Sequence, residues 1–302
     1  MKVRGDGPEA ADIPQTVATV NGNEVSITDV EASGAFPNEV KRYNPLRIYW
    51  EICCADGGGW VNAGKNENEG FITLADPACS PPFRTVLHLA CKNGGTDENS
   101  CVTNTWSSFS GPANVCAWND TAKDHSRALH YYQNVSGDYV TTTSGLLAGA
   151  NGQCHAWAHL FKECLRANNV QNVMRTRVEP YAGYRQFGVK NIDFDDVNPT
   201  YPTEPVWKYG YNDRNDDLDI DASGIPGQNM STPQAKLFAQ HWLVHRTGDA
   251  VCYDPSYGTT CSGPEGFSAQ GVDAWERWWG GSWHWATAAS VGATVTFTDL
   301  AW

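Results

Sequence analysis

The sequence predicts an α+β protein of two domains, a β-rich accessory module over residues 1–115 followed by a helix-and-sheet domain over residues 116–302. Three observations carry this. The first 115 residues break into short alternating segments punctuated by Gly, Pro and Asn; one strongly amphipathic helix stands at 152–167; and two alternating runs, 241–246 and 250–254, flank a short Gly-containing turn. At 302 residues the chain is long enough for two domains of roughly 150 residues each.

In the first module the segments 16–20, 24–28, 47–52, 70–74 and 85–90 read as strands. The intervening AsnGlyAsn (21–23), AspGlyGlyGly (56–59), SerProPro (80–82) and AsnGlyGlyThr (93–96) supply turn chemistry. Such punctuation suggests a β-sandwich-like fold. Six of the ten cysteines (Cys53, Cys54, Cys79, Cys91, Cys101 and Cys116) fall in or just after it, where a small all-β core gains most from cross-links.

From about residue 120 the texture changes. Helical spacing shows at 124–132 and, more clearly, at 152–167. There Ala156, Leu160, Phe161 and Cys164 form one apolar face, widened by Trp157 and Leu165, so this helix belongs in a core. Residues 173–178 read as a strand and 179–233 as a long acidic, Pro- and Gly-rich excursion that ends in a helix-start pattern at 231–234. The runs at 241–246 and 250–254 then form a hairpin through ThrGlyAsp (247–249).

Charge and cysteine usage exclude several functions. Lys plus Arg number 21 against 34 Asp plus Glu, a net charge of −13, the wrong sign for nucleic acid or an anionic membrane surface. Nowhere do about 18 apolar residues run together, so no membrane span is expected. The N-terminus lacks the apolar stretch of a secretory signal. Ten cysteines without a CxxC pair point away from zinc and toward disulfides, hence toward an oxidising, secreted or cell-envelope setting.

Three residues have the chemistry of a thiol enzyme: Cys154, His241 and Asp254. Cys154 opens the 152–167 helix, where the helix dipole and unpaired N–H groups favour a thiolate and can hold an oxyanion. His241 starts one hairpin strand and Asp254 ends the other, so the turn brings base and orienting acid together.

These blocks, GlyGlnCysHisAlaTrpAlaHisLeuPhe (152–161), HisTrpLeuVal (241–244) and TyrAspProSer (253–256), resemble the transglutaminase-like superfamily of papain-like cysteine enzymes in the same chain order. ThrTrpSerSerPhe (105–109) and the Tyr131–Tyr132 pair resemble the lead-in of bacterial members. The resemblance covers roughly residues 100 to 260 and none of the N-terminal module. It implies a helix-borne nucleophile packed on an antiparallel sheet, and a Cys154 thioester formed from an amide. His241 would shuttle the proton and Asp254 would hold His241. The acyl group then passes to an amine, as in a transglutaminase, or to water, as in a protease or amidase. The implied substrates are proteins or peptides, and no cofactor is implied. The block GlnCysHisAlaTrpAla (153–158) also resembles peptide N-glycanases of the superfamily, which makes a glycan-linked amide an alternative substrate. Animal transglutaminases carry a tryptophan that aids the oxyanion, for which Trp118 and then Trp106 are candidates.

Other readings compete at particular residues. His245 shares a strand face with His241 and is the second candidate base. His155 and His159, four apart on the helix, have zinc-ligand spacing but lack a third ligand nearby. The alternating Asp213, Asn215, Asp217, Asp219 and Asp221 look like a calcium loop without its glycine and glutamate, so calcium is a weaker reading than a solvated acidic loop or a lid. Its charge favours basic or lysine-bearing substrates. A Cys252–Cys261 disulfide would tie the segment that carries Asp254. With Cys154 as nucleophile and Cys164 buried and reduced, eight cysteines remain for up to four disulfides. The aromatic runs 275–279 and 283–285 read as core or interface packing ahead of sugar stacking. A non-catalytic scaffold on the same fold is the alternative from another class.

Overall fold

The computed structural model describes residues 2–8, 12–22, 24–28, 31–54, 58–78, 82–111, 115–131, 140–180, 184–189, 192–193, 207–210, 219–220, 227–230, 237–247, 249, 251–263, 266–267, 272–279, 282–287 and 296–300. The first part carries β1 (Lys2–Asp6), β2 (Ile13–Val17), β3 (Thr19–Asn21), β4 (Glu24–Ser26), β5 (Lys41–Cys53), β6 (Val61–Ile72), α1 (Arg84–Cys91) and α2 (Glu98–Trp106). Next come β7 (Cys116–Asn119), β8 (Asp124–Ala128), β9 (His130–Tyr131), α3 (Thr143–Gly149), β10 (Asn151–Gly152), α4 (Cys154–Ala167) and β11 (Val173–Glu179). The remainder is strands: β12 (Tyr184–Val189), β13 (Ile192–Asp193), β14 (Trp207–Gly210), β15 (Asp219–Ile220), β16 (Leu237–Phe238), β17 (His241–Arg246), β18 (Val251–Asp254), β19 (Thr259–Cys261), β20 (Val272–Trp279), β21 (Ser282–Thr287) and β22 (Thr296–Leu300).

Helices and mostly antiparallel sheets segregate along the chain, so the protein is α+β. Its sheets run β2-β1-β5-β6, β19-β18-β17-β11-β22 and β14-β21-β20-β12-β16, with smaller two-stranded pairs. The central sheet is the second of these, and α4 lies along its β17 and β11 strands.

The apolar spacing of 152–167 does form α4. Ala156, Trp157, Ala158, Leu160, Phe161, Cys164 and Leu165 are all fully buried, each large side chain contributing about 1.5–3 kcal/mol by leaving water. On the side away from the sheet α4 is covered by α1, α2 and α3. Residues 85–90 therefore differ from their expected strand. Val86, Leu89 and Ala90 recur at helical spacing, and an α1 stripe fits the α4 groove where a six-residue strand has no neighbour to pair with. The reverse happens at 124–132, expected helical. Asp124, His125, Ser126 and Arg127 alternate between solvent and interior, and an Asn119 side chain accepting from the Thr121 and Ala122 amides closes the β7–β8 hairpin.

Among the described residues the N-terminal strands make one four-stranded sheet and a β3–β4 hairpin rather than a sandwich. The core runs across residue 115, because Val86, Leu89, Cys101 and Val102 pack in the same cluster as α4. Glu69 of β6 fastens the sheet to that core. Its carboxylate, almost fully buried, accepts from Arg42 Nε (2.7 Å) and Arg84 Nε (2.5 Å) and meets His125 Nε2 at 3.1 Å.

The expected disulfides are not found among the described residues: no bond joins any two of the nine described cysteines, and Cys79 lies outside them. Cys252 and Cys261 do face each other directly across β18 and β19, and the Cys261 thiol donates to the Cys252 carbonyl at 3.9 Å. No helix among the described residues is long and apolar enough to cross a membrane. The helix start expected at 231–234 and the acidic run 213–218 with Asp221 lie outside the described residues. Of the run, only the backbone of Asp219–Ile220 is described, as β15. Segments 275–279 and 283–285 belong to the β20–β21 hairpin, and their side chains also lie outside the described residues.

Candidate active site

Cys154 is the first residue of α4. Gln153 before it is extended, donates its amide to the Val140 carbonyl at 3.2 Å, and provides no side-chain cap. The first-turn N–H groups at the nucleophile are thus left without a side-chain acceptor. Gly152 sits where a Cβ would press on Ala156 and Leu146, so a small residue lets the chain turn tightly into the helix.

His241 opens β17 and Asp254 closes β18, on the same face of the hairpin. His241 Nε2 and Asp254 Oδ2 are 2.7 Å apart, and both residues are buried. The other Asp254 oxygen accepts from the Ser256 amide at 3.1 Å, and the Gly258 amide donates to the Asp254 carbonyl at 2.8 Å. Gly258 has φ +67°, and a methyl there would run into the carbonyl oxygens of Gly111 and Phe109. Glycine is therefore required by both backbone hand and space.

The second ring nitrogen, Nδ1, has no hydrogen-bond partner among the described residues, and Cys154 lies near enough for its charge to act on the imidazole. Burial alone would push the His241 pKa down. The Asp254 and Cys154 charges outweigh it and raise the pKa to about 10. The imidazole is therefore held in its protonated form at neutral pH. Phe238 (4.7 Å), Tyr257 (5.9 Å) and Phe267 (6.2 Å) wall the ring in.

Cys154, His241 and Asp254 thus come together. His245 does not join them: it lies opposite Cys252, and its Nδ1 faces Asp299 at 3.5 Å. Trp118 is not placed to aid an oxyanion at Cys154, because its indole N–H donates to Asp120 (2.9 Å) and Arg84 covers its ring at 3.2 Å. Trp106 packs in the core against Phe161 and Tyr253. Between His155 and His159, where a zinc ion would need two lone pairs, the Arg175 guanidinium donates to both rings.

One further group has metal-ligand types in proximity: the donor atoms of Glu69, His88 and His125 lie within 4.8 Å of one another. Their geometry is that of a packed polar hub. The two rings stack 3.6 Å apart and 13° from parallel, so their lone pairs run side by side instead of converging, and two arginines already hold the carboxylate. Burial, followed by nearby positive charge, pushes His88 down to about 2.

The sequence reading missed Gln228. Its backbone joins Ser256 to Tyr131 and its buried amide donates to the Phe109 carbonyl, tying the Asp254 turn to the rest of the core. A lone glutamine beside a 55-residue polar excursion carries no periodic signal that would single it out. No protein-family model, curated protein or solved structure matches the chain.

Proposed function

We propose that the chain is a thiol enzyme that breaks amide bonds through an acyl thioester on Cys154, in the manner of the transglutaminase-like superfamily. What supports this is the buried imidazole of His241, held to Asp254 through Nε2 at 2.7 Å and close enough to Cys154 to feel its charge. The Cys154 thiolate attacks the carbonyl carbon, and the electron pair of the C=O becomes an oxyanion facing the first-turn amides of α4. His241 gives its proton to the departing amine as the C–N bond breaks, which leaves the thioester and a neutral imidazole. An incoming amine or water then attacks, His241 takes its proton, and the thiolate departs.

The substrates in this reading are protein or peptide amides. Trp157, part of the resemblance to glycan-amide hydrolases, is fully buried against Phe109, so packing accounts for it here.

The test is incubation with a glutamine-containing protein and a fluorescent amine, read for amine incorporation and for ammonia or peptide release. Cys154→Ala should abolish both, and Asp254→Asn should lower turnover by about a hundredfold or more. Unchanged turnover in these variants would end the catalytic reading and leave a binding scaffold.

A further inference from the structure

The residue after the nucleophile touches the residue after the base. His155 stacks on the Trp242 indole with centroids 4.0 Å apart and planes 9° from parallel. Arg175 of β11 lies over the same indole at 5.4 Å and donates from Nη1 to His155 Nε2 (2.6 Å) and to His159 Nε2. An imidazole accepting at Nε2 carries its proton on Nδ1 and is neutral. Burial first, and the Arg175 charge second, push His155 down to about 4 and His159 to about 3, so both acceptors persist through neutral pH. Lys162 and Glu163 of α4 are charged groups whose fields reach this guanidinium.

Cys154 and His241 belong to different elements, and apolar packing alone lets a helix end slide over a sheet by fractions of an ångström. A ring stack held by one guanidinium nitrogen that donates to two imidazoles is directional where a methyl contact is not. We infer that Arg175 is a positioning residue: by clamping His155 onto Trp242 it registers the start of α4 against the start of β17, and so holds the Cys154 sulfur at His241. This rests on the Cys-His-Asp reading above and adds to it the part that sets the distance between nucleophile and base. A misplacement of about 1 Å at a reacting pair can cost on the order of a hundredfold in rate.

The experiment follows Cys154 carboxamidomethylation by iodoacetamide across pH in the full chain, by peptide mapping, together with the ultraviolet absorbance of the thiolate and a thermal melt. Wild-type protein should alkylate rapidly at neutral pH, and His241→Ala should remove that advantage. Arg175→Met should slow alkylation about ten- to a hundredfold and move the thiolate signal to higher pH while the cooperative melt is kept. Arg175→Lys, which retains a charged donor but loses the planar group over the Trp242 indole, should recover only part of the rate. His155→Phe keeps a ring on Trp242 without the Arg175 bond, and as a second, volume-conserving variant it should behave like Arg175→Met. A wild-type alkylation profile in either folded variant, or full rescue by lysine, would overturn the positioning role. Slow, His241-independent alkylation of the wild type would instead overturn the underlying catalytic reading.

Discussion

His241 is the residue on which electrostatics and chemistry meet. Its pKa in the folded protein is raised above the ordinary histidine value, so its contribution to stability is full below about pH 6.5 and is lost as pH rises toward about 10. Chemical denaturation at a series of pH values should therefore show stability falling through that alkaline window, and His241→Ala should flatten the fall. Gly258 is the second sensitive residue. Gly258→Ala combines a left-handed backbone with a clash against two carbonyl oxygens and should cost about 2–4 kcal/mol, measured by urea denaturation. Because Gly258 closes the turn that holds Asp254, turnover should fall with stability. Cys154, His241 and Asp254 were legible as a group in the sequence because each stands at the end of an element with a strong local pattern. His155, Arg175 and Trp242 were not legible as a unit, since their contact joins three elements and no local period links them.

At the scale of elements, Glu69 shows how one side chain fastens β6 to α1 and β8. Burial raises its pKa, and the Arg84 and Arg42 hydrogen bonds outweigh burial, so the net displacement is downward. Its stabilising effect is therefore present above the ordinary carboxylate pKa and is lost as pH falls through the lowered folded value. Glu69→Gln, which leaves Arg42 and Arg84 without their anion, should cost about 1–3 kcal/mol at neutral pH and much less in acid, as read by denaturant melts at both. The 14-residue α4 has room for a full apolar face, and the β17–β18 hairpin is marked by the ThrGlyAsp turn between two alternating runs, so both follow from their sequences. Residues 85–90 and 124–132 do not, because six to nine residues hold fewer than three helical turns and a partner surface decides between the two periods.

Across the whole molecule, the core ignores the division that composition suggests at residue 115. Helices α1 and α2 cover one side of α4 and the central sheet covers the other, so the helix carrying the nucleophile is sandwiched between parts of the chain far apart in sequence. A fragment of residues 116–302 should consequently lack a cooperative melt, because Trp157, Leu160 and Phe161 lose part of their cover. A fragment beginning at residue 73 keeps α1 and α2 and should melt cooperatively at a lower temperature. If the 116–302 fragment melts like the intact chain, α1 and α2 are dispensable cladding. That shared core was invisible in the sequence, since burial between segments so far apart leaves no periodic trace in either.

The triad sits at the tips of its elements: Cys154 at a helix start, His241 at a strand start, Asp254 at a strand end. Changes in the connecting segments therefore need not displace these three side chains, provided that tethers such as Gln228 are kept. On the thiol-enzyme reading proposed above, different substrates would then be served by rewriting the connections around the same three residues.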